Sequence, residues 1–494
     1  MALTSLYSQR PHLCNNDIVS LPSRTSSTHL CPKHTTLTFK NTSTFFGSKL
    51  PAKPISVSLS NHSTRTVPVI TASSHTFDVV IIGAGIIGLA IARQLLIGSN
   101  LSVAVVDKAV PCSGATGAGQ GYIWMAHKSP ESDMWELTMR SHNLWKMLAD
   151  SIHDQGLNPL EELGWKNTGS LLVGRTPEEC EALKKRVKKL SEAGLKAQYL
   201  SGQDLHLEEP ALQVGEGGGA AFFPDDCQLD AHRTVEFIEK ANRHFASKGR
   251  YAEFYHDPVE SLLRSSSSGE IEAVQTSKNT LYSKKAIVVA AGCWSGTLMH
   301  DLFRETVSPL NVPVKPRKGH LLVLENFGAL TLNHGVMEAG YVDHYGAGVK
   351  SNNSATPLVD SSRNLSISMT ATMDAMGNLV LGSSREFSGF NTEADQSIVD
   401  HIWSRAGVFF PKLKEISLMD VNKSRKLRIG LRPYMPDGKP VIGHVPDFPN
   451  VLIATGHEGG GLSMALGTAE MVADMVLGKP GTVKSTLFSV QGRC

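Results

Sequence analysis

The chain has 494 residues, of which 41% are hydrophobic, so it can form a large core in two domains or one interleaved unit. The formal net charge is +2, and the residues after position 77 carry 45 acidic and 41 basic side chains. This charge balance does not favour a nucleic acid partner. The seven cysteines are scattered, without a C-x-x-C pair or histidines at metal spacing, which argues against a disulfide framework and a metal site.

The first 72 residues form a segment rich in serine and threonine, with seven Lys or Arg residues and a single acid, Asp17. The segment lacks the continuous apolar run of about 7–15 residues that a secretory signal needs. This composition predicts a chloroplast transit peptide over residues 1–72, with Ile70-Thr71-Ala72 as the cleavage context and mature protein from about Ser73. A mitochondrial presequence and a tail without any targeting role are the alternatives.

The stretch VVIIGAGIIGLAIARQLLIG, Val79–Gly98, has two interpretations. It has about the length of a membrane span, which needs roughly 20 apolar residues. It also fits a buried strand, a glycine turn and a helix, and Arg93 and the β-branched run Leu101–Asp107 favour this second interpretation. We therefore expect strands at Phe77–Gly83 and Leu101–Asp107 around a helix at Ile86–Gly98, and no transmembrane segment.

The glycines between the first strand and the helix follow the pattern G-x-G-x-x-G. Gly83 permits a tight turn, Gly85 lets the backbone approach a pyrophosphate, and Gly88 lets the helix pack closely on the strand. The helix N-terminus offers N–H groups and a positive dipole end to phosphates. Asp107 closes the second strand, where a carboxylate accepts from ribose hydroxyls and repels a 2′-phosphate. The pattern predicts a dinucleotide site that disfavours NADP.

Further elements follow from apolar periodicity, capping signals and turn residues. The glycine-rich segment Gly215–Ala220 has no preceding strand, so we interpret it as a loop and not as a second nucleotide site. A second nucleotide site would indicate a monooxygenase that takes electrons from NADPH. We therefore expect the electrons to come from the substrate. The remaining expectations are helices at Ser132–Gln155, after the capping box Thr176–Glu179, at Ala231–Lys248 and at Leu462–Leu477, a loop at Phe222–Asp230, strands at Ala286–Ala291, Gly319–Glu325, Ser366–Ser383 and Val451–Thr455, and a surface excursion at Tyr341–Asn364.

Five ordered motifs between Phe77 and Gly478 resemble the D-amino-acid oxidase superfamily of FAD-dependent oxidoreductases, which includes glycine oxidase, sarcosine oxidase and D-amino-acid dehydrogenases. After the first glycine turn these motifs are Ser113–Gly119, Ala290–Ser295, Pro316–His320, Gly430–Pro446 and Gly456–Glu470.

The resemblance implies an α/β fold, in which a Rossmann-type FAD-binding domain is interleaved with an α+β substrate domain on an antiparallel sheet. The expected FAD-binding parts are 73–160, 226–300 and 419–480, the substrate parts are 161–225 and 301–418, and 481–494 is a tail.

A second glycine turn, Gly456–Gly461, precedes the last predicted helix. If it folds against the same sheet as the first turn, a second helix N-terminus points at the ligand, where it can stabilise the negative charge of a reduced flavin. An ordinary turn with a glycine cap is the alternative. His457 in this turn either tunes the flavin or is a structurally bonded histidine. The residues expected to contact FAD are Gly83, Gly85, Ile86, Ile87, Gly88, Asp107, Lys108, Ala115, Thr116, Ala118, Gly119, Val259, Ala291, Gly292, Gly459, Gly460, Gly461 and Leu462.

The resemblance implies oxidation of a C–H bond next to an amine, with hydride transfer to flavin N5 and an imine that water hydrolyses. Arg432 matches the family's arginine in G-x-R-P, which holds the substrate carboxylate, and a guanidinium suits that role because it offers paired donors. Pairing of Arg432 with Asp437 is the structural alternative. The catalytic candidates are thus Arg432 and His457, and the expected partner is a small-molecule amine.

Three departures from the family's patterns bear on the chemistry. Gly430–Pro433 contains no cysteine, so FAD should be non-covalent. Asn378–Gly382 contains no lysine, which leaves the electron acceptor open between oxygen and a quinone. Leu381–Phe390 looks more like opine, hydroxyproline and cyanide-forming glycine dehydrogenase subunits, which favours a secondary amine or imino acid.

The position of glycine oxidase's pocket tyrosine falls on Met369 or Thr370. Tyr341 and His344 lie in the predicted surface excursion, and we expect them either to cover the pocket or to be exposed on the surface without a role in the site. A flavoprotein acting on a non-amine substrate such as a hydroxy acid, and a non-catalytic flavin-binding assembly protein, remain the alternative functions.

Overall fold

A computed structural model describes residues 73–267, 269–303, 310–342, 365–421 and 424–494. The predicted transit peptide, its cleavage context, His344 and nearly all of the predicted surface excursion lie outside these ranges. Within them, no helix combines the length and apolar character that crossing a membrane requires.

The strands are numbered in chain order. They are β1 (Ser73–Ile82), β2 (Val103–Val106), β3 (Tyr122–Ile123), β4 (Ser170–Gly174), β5 (Gln198–Ser201), β6 (Gly219–Phe223), β7 (Cys227–Gln228), β8 (Tyr251–Phe254), β9 (Val259–Arg264), β10 (Ile271–Thr276), β11 (Asn279–Val289), β12 (Lys315–Leu324), β13 (Gly335–Glu338), β14 (Ser366–Met373), β15 (Leu379–Arg385), β16 (Arg425–Tyr434), β17 (Val441–Val445) and β18 (Phe448–Thr455).

The α-helices are numbered in the same way. They are α1 (Ile86–Gly98), α2 (Trp135–Asp154), α3 (Pro159–Leu163), α4 (Pro177–Glu192), α5 (Gly202–Glu208), α6 (Ala231–Arg243), α7 (Ser295–Phe303), α8 (Gln396–Phe409) and α9 (Gly461–Leu477).

The first sheet has the strand order β17-β18-β11-β1-β2-β8, with the hairpin β9-β10 attached to β11. The strands from β18 to β8 run parallel. Along β1 the side chains alternate between the two faces: Val79 and Ile81 join the core under α1 and α9, and Val80 and Ile82 join the opposite core. Both faces are covered, which is why the strand reads as a continuous apolar run. The strand–turn–helix interpretation is confirmed.

The second sheet has the order β16-β12-β15-β14-β13-β4-β6-β5 and is antiparallel except where β13 pairs with β4. Helix α8 covers one face, where Ile398 and Ile402 share a core with Leu322 and Met369. The opposite face carries Gly319 and contributes to the cavity described below. The predicted α/β class, with a second domain on an antiparallel sheet, is confirmed.

The predicted capping box is present, because Thr176 Oγ1 accepts from the Glu179 N–H and the Glu179 carboxylate accepts from the Thr176 N–H. The predicted loop at Phe222–Asp230 is wrong in part, since it holds the end of β6 and all of β7. The predicted helix Ala231–Lys248 ends at Arg243, and a 3-10 turn follows.

Two domain boundaries differ from the sequence-based assignment. Strand β16 pairs with β12 over ten residues, so the second sheet extends to Tyr434, beyond the expected boundary after residue 418. The expected tail at 481–494 is packed, because Phe488 and Val490 are fully buried in the cores of the first sheet. Neither feature is visible locally, because each depends on partners far away in the chain.

Candidate active site

The first glycine turn joins β1 to α1 and has no room for side chains. Gly83 has φ +116° and donates to the Val106 carbonyl at 2.8 Å, and a Cβ on it would collide with the Ala290 carbonyl. A Cβ on Gly88 would collide with the carbonyl of Gly83. Gly85, the residue before α1, has no side chain that could cap the helix, so the helix start can offer N–H groups to a ligand.

Asp107 and Thr116 hold the backbone around this turn. Asp107 Oδ2 accepts from the Ala84 N–H at 2.7 Å, and its Oδ1 accepts from the Ala109 N–H at 2.7 Å. Each carboxylate oxygen keeps capacity for a further donor such as a ribose hydroxyl. Thr116 Oγ1 accepts from the Ile86 N–H at 3.2 Å, so that N–H is already engaged within the protein.

The two glycine turns converge. Gly85 and Ile86 of the first turn line the same cavity as Gly461 and Leu462 of the second, and the cavity has a volume of about 400 Å³. Helices α1 and α9 begin at this cavity and share one core. The first-turn N–H groups of an α-helix have no partner within the helix, so two positive dipole ends meet here. This convergence confirms the geometry that the sequence predicted.

One expected donor of the second turn is engaged elsewhere. The Gly460 N–H donates to the His457 carbonyl at 2.9 Å and so closes the turn, and contact of Gly460 with FAD stays a prediction. The Trp145 Nε1–H donates to the Leu462 carbonyl at 3.0 Å and fixes the first turn of α9. Gly461 and Leu462 line the cavity, and their contact with FAD stays a prediction.

Sixteen of the eighteen residues expected to contact FAD line the cavity. The two others, Gly88 and Gly460, lie behind it, where the first allows close packing and the second closes a turn. Contact of each lining residue with FAD stays a prediction. The set nevertheless fits FAD, because two helix N-termini, a strand-end carboxylate and glycine-lined walls share one cavity.

Arg432 lies on β16 directly opposite Arg317 of β12 and lines the cavity. Its Nη1–H donates to the Ser384 carbonyl at 3.0 Å. The proposed pairing with Asp437 is not found, since Asp437 accepts from Arg493 at 2.7 and 2.9 Å. The position of Arg432 suits the substrate anchor that the sequence predicted.

Glu458 lies in the second glycine turn with φ +47° and lines the cavity beside Arg432. Arg317 Nη1 lies 3.5 Å from Glu458 Oε1. Burial alone would raise the pKa of Glu458, but Arg432, Arg385 and Arg317 together hold this pKa below its usual value. Glu458 is therefore a carboxylate at neutral pH.

Sequence reasoning did not assign roles to Glu458, Arg317 and Arg385. Arg317 lies within the recognised segment Pro316–His320, and Glu458 lies within the second glycine turn. Arg385 lies two residues after the predicted strand region Ser366–Ser383, and only the structure shows that it is buried.

His457 is buried and its Nε2 lies 3.0 Å from Thr468 Oγ1 of α9. Burial lowers its pKa to about 3, so the imidazole is neutral at physiological pH. The sequence left two interpretations of His457, a residue that tunes the flavin and a structurally bonded histidine. The contact with Thr468 supports the second interpretation, and His457 also lines the cavity.

Tyr341 is 8% exposed and lines the cavity, which overturns the surface interpretation for this residue. At the position of the family's pocket tyrosine, Met369 packs in the core beneath α8. Thr370 donates to Gln120 Oε1 at 3.0 Å, and Gln120 lines the cavity. Thr370 therefore positions a cavity residue, whereas Met369 does not face the cavity.

The fold and the site define a dinucleotide-binding enzyme whose cavity of about 400 Å³ is lined by residues of both sheets. A family model described as "DAO: FAD dependent oxidoreductase" matches residues 78–475. The chain therefore belongs to this family of FAD-dependent oxidoreductases.

Two related proteins are similar in sequence to this chain over nearly their whole length. Glycine oxidase of Geobacillus kaustophilus (strain HTA426) is 25% identical over 419 residues, covering 84% of this chain and 97% of that protein. Glycine oxidase of Bacillus subtilis (strain 168) is 24% identical over 405 residues, covering 82% and 94%.

Solved structures share the fold. The crystal structure of glycine oxidase from Geobacillus kaustophilus superposes with a TM-score of 0.67 at 22% identity, covering 85% of this chain and 100% of that chain. Iminodiacetate oxidase from Chelativorans sp. BNC1 superposes with a TM-score of 0.65 at 21% identity, covering 83% and 98%. The predicted enzyme class and the FAD cofactor are confirmed, and non-covalent attachment stays a prediction.

Proposed function

We propose that this protein oxidises the C–N bond of an amino acid or a carboxylated secondary amine to an imine. The observation that carries the proposal is the position of Arg432, which lines the same cavity as both glycine turns and is not paired with Asp437. When bound, FAD supplies the acceptor for the hydride that leaves the carbon beside nitrogen.

The residues of the chain do the positioning. Arg432 binds the substrate carboxylate, and a guanidinium held at Ser384 fixes where the neighbouring carbon lies. Transfer needs the reacting atoms about 3–3.5 Å apart, so a fixed anchor contributes directly to the rate. Glu458 stays ionised beside Arg432 and offers an acceptor to an amine N–H. A protein base is not required when the amine enters unprotonated.

The substrate class has further support in the relatives, whose names include glycine oxidase and iminodiacetate oxidase. We further propose oxygen or a quinone as the electron acceptor. The strand segment Asn378–Gly382 carries no lysine that could serve oxygen activation. Mixing the anaerobically reduced enzyme with air or with a soluble quinone tests this: the faster reoxidant identifies the acceptor.

The decisive experiment is an anaerobic panel of amino acids, secondary amines and hydroxy acids on the purified holoenzyme starting near Ser73. Bleaching of the flavin's visible absorbance by an amine supports the proposal. Bleaching by hydroxy acids alone would support the non-amine alternative. A protein that stays yellow with every compound would support a non-catalytic flavin-binding protein.

We also propose a plastid location, supported by the composition of residues 1–72. A fluorescent protein fused behind residues 1–72 should enter chloroplasts, whereas the same reporter fused to residues 73–494 should not. Import into mitochondria instead would contradict the proposal.

A further inference from the structure

Among the residues that the structure describes, the guanidinium of Arg432 has one hydrogen-bond acceptor, the carbonyl of Ser384 at 3.0 Å. The space beside the guanidinium is left by Gly319, which has no side chain, and Asp437 pairs with Arg493 instead. The remaining guanidinium N–H groups can therefore serve a ligand in the cavity that Arg432 lines. Because a single acceptor directs this planar group, the position of the Ser384 carbonyl decides where a bound carboxylate would lie.

Strand β15, which carries Ser384, contains one residue more than its neighbour β12 over this stretch. Leu321 of β12 lies opposite Gly382 of β15, and Lys318 lies opposite Glu386. Three residue steps along β12 thus face four steps along β15, so β15 has a β-bulge that includes Ser384. A bulge disrupts the regular pairing locally and changes the direction of the groups within it.

The side chain of Ser384 serves as a hydrogen-bond acceptor for β12 at this bulge. The backbone N–H of His320 donates to Ser384 Oγ at 2.9 Å, where a regular ladder would supply a main-chain carbonyl. The imidazole Nδ1 of His320 lies 2.9 Å from the same hydroxyl oxygen. Because the His320 N–H does not use the Ser384 carbonyl, this carbonyl can accept from Arg432.

The ring of His320 is held in one tautomer. His320 is fully buried, and its Nε2 accepts from the backbone N–H of Asp395, the residue that caps α8, at 3.3 Å. The proton of the neutral ring is therefore on Nδ1, which donates to Ser384 Oγ. Burial lowers the pKa of His320 to about 4, so the neutral ring is present at neutral pH. The imidazole thus connects the bulge to the start of α8.

Neither Ser384 nor His320 is among the described residues that line the cavity, so neither contacts a ligand there directly. We propose that both are positioning residues for Arg432: the imidazole holds the Ser384 hydroxyl, the hydroxyl holds the bulge, and the carbonyl of the bulge directs the guanidinium toward the substrate carboxylate. This inference rests on the proposed function and extends it to two residues outside the cavity.

The first test measures carboxylate binding and needs no turnover. Acetate and its neutral isostere acetamide are titrated into the holoenzyme while the flavin spectrum is recorded. The wild type should bind acetate at least about tenfold more tightly than acetamide, and Ser384→Ala should lose about tenfold in acetate affinity without a change for acetamide. Ser366→Ala is the matched control and should bind acetate like the wild type, because it removes a buried hydroxyl that has no hydrogen-bond partner in the described chain.

The outcomes of this titration separate the inference from the proposed function. An unchanged acetate affinity in Ser384→Ala would overturn the inference alone. A wild type that binds acetate and acetamide equally would contradict the role of Arg432 as a carboxylate anchor, and with it the proposed function.

A double variant distinguishes positioning from a general loss of packing. If Ser384 acts through Arg432, Ser384→Ala should cause no further loss of acetate affinity in a protein that already carries Arg432→Ala. Losses of equal size in both backgrounds would show that Ser384 acts independently of Arg432, which would refute the inference.

A matched pair of variants tests His320. His320→Asn keeps a side-chain N–H close to the position of Nδ1 and should retain most of the acetate affinity, whereas His320→Leu should lose about tenfold. If the two variants bound acetate equally well, the hydrogen bond from the imidazole would have no part in positioning Arg432.

A measurement on the wild type does not depend on any variant that folds. In a crystal structure of the wild-type holoenzyme with acetate, Arg432 Nη1 should stay about 2.7–3.2 Å from the Ser384 carbonyl oxygen while other N–H groups of the guanidinium donate to acetate. Release of Nη1 from the Ser384 carbonyl in this complex would overturn the inference.

Discussion

The guanidinium of Arg432 occupies the space that a side chain on Gly319 would need. The two residues lie on neighbouring strands, and a Cβ built on Gly319 would collide with the Nη1, Cζ and Nη2 atoms of Arg432. The anchor of the proposed substrate is therefore positioned by the absence of a side chain on β12.

Gly319→Ala should displace this guanidinium without removing its charge. Because a misplacement of about 1 Å can cost roughly 100-fold in rate, we expect kcat/KM for a carboxylated amine to fall by about 10- to 100-fold. Steady-state kinetics with the holoenzyme measure this change, and the flavin absorbance verifies that FAD is retained. Wild-type kinetics in this variant would show that the position of Arg432 is unimportant.

Arg432→Ala should raise the KM of a carboxylated substrate strongly while FAD stays bound. The loss of a charge-assisted hydrogen-bonding partner corresponds to about 1.5–3 kcal/mol, or roughly 10- to 100-fold. Lys426→Ala on the same strand is the control, because Lys426 is exposed and paired with Glu325 at 2.6 Å. Unchanged kinetics in Arg432→Ala would remove its assignment as the anchor.

Two glycines of the first turn should fail in different ways when replaced by alanine. A Cβ on Gly88 collides with the backbone of Gly83, so Gly88→Ala should lower stability or prevent folding. A Cβ on Gly85 would lie 3.4 Å from Thr116 Oγ1, an ordinary contact, and would point into the cavity wall. Gly85→Ala should therefore fold and bind FAD more weakly.

Thermal unfolding of the apoproteins and FAD titration by fluorescence quenching separate these two outcomes. If Gly85→Ala bound FAD as tightly as the wild type, the close approach of the first turn to the pyrophosphate would be refuted.

His457 should make the protein less stable in mild acid. Its pKa is about 3 in the folded protein and about 6.5 in the unfolded chain, so between these values only the unfolded state gains the proton. The free energy of unfolding should therefore fall as pH decreases below about 6.5, by up to about 1.4 kcal/mol per pH unit from this residue.

The measurement is urea unfolding of wild type and His457→Gln at pH 7 and pH 5. The variant should lose less stability than the wild type between these two pH values. His444→Gln, which replaces an exposed histidine, should behave like the wild type. Equal pH dependence in wild type and His457→Gln would contradict the prediction.

Phe488→Ala should destabilise the core of the first sheet, although residue 488 lies in the segment that the sequence assigned to a tail. Phe488 is fully buried, and truncation of a buried phenylalanine typically costs about 3–5 kcal/mol. Urea unfolding measures the loss, with the exposed Gln491→Ala as control. A change below about 0.5 kcal/mol would show that this segment contributes no packing.

The glycine turns could be predicted because their signal is local. Gly83 needs a positive φ, and Gly88 allows α1 to approach β1, so the residue types follow from the backbone within a few positions. Asp107 was found for the same reason, since it ends the strand that follows. His457 was only half assigned, because its partner Thr468 and the burial that lowers its pKa depend on how α9 packs.

The sequence by itself determined the two glycine turns, the helices that begin at them, and the arginine of the G-x-R-P motif, because short-range sterics and hydrogen bonding specify these features. Only the tertiary structure decided that the charges of Arg317, Arg385 and Arg432 all act on the carboxylate of Glu458. The three arginines lie on β12, β15 and β16 of the second sheet, and Glu458 lies in the turn that follows β18 of the first sheet. These residues come together because of the strand register and because of the way the two sheets pack against each other. Both depend on the burial of apolar surfaces that are distant in the chain, so no local sequence pattern reveals them.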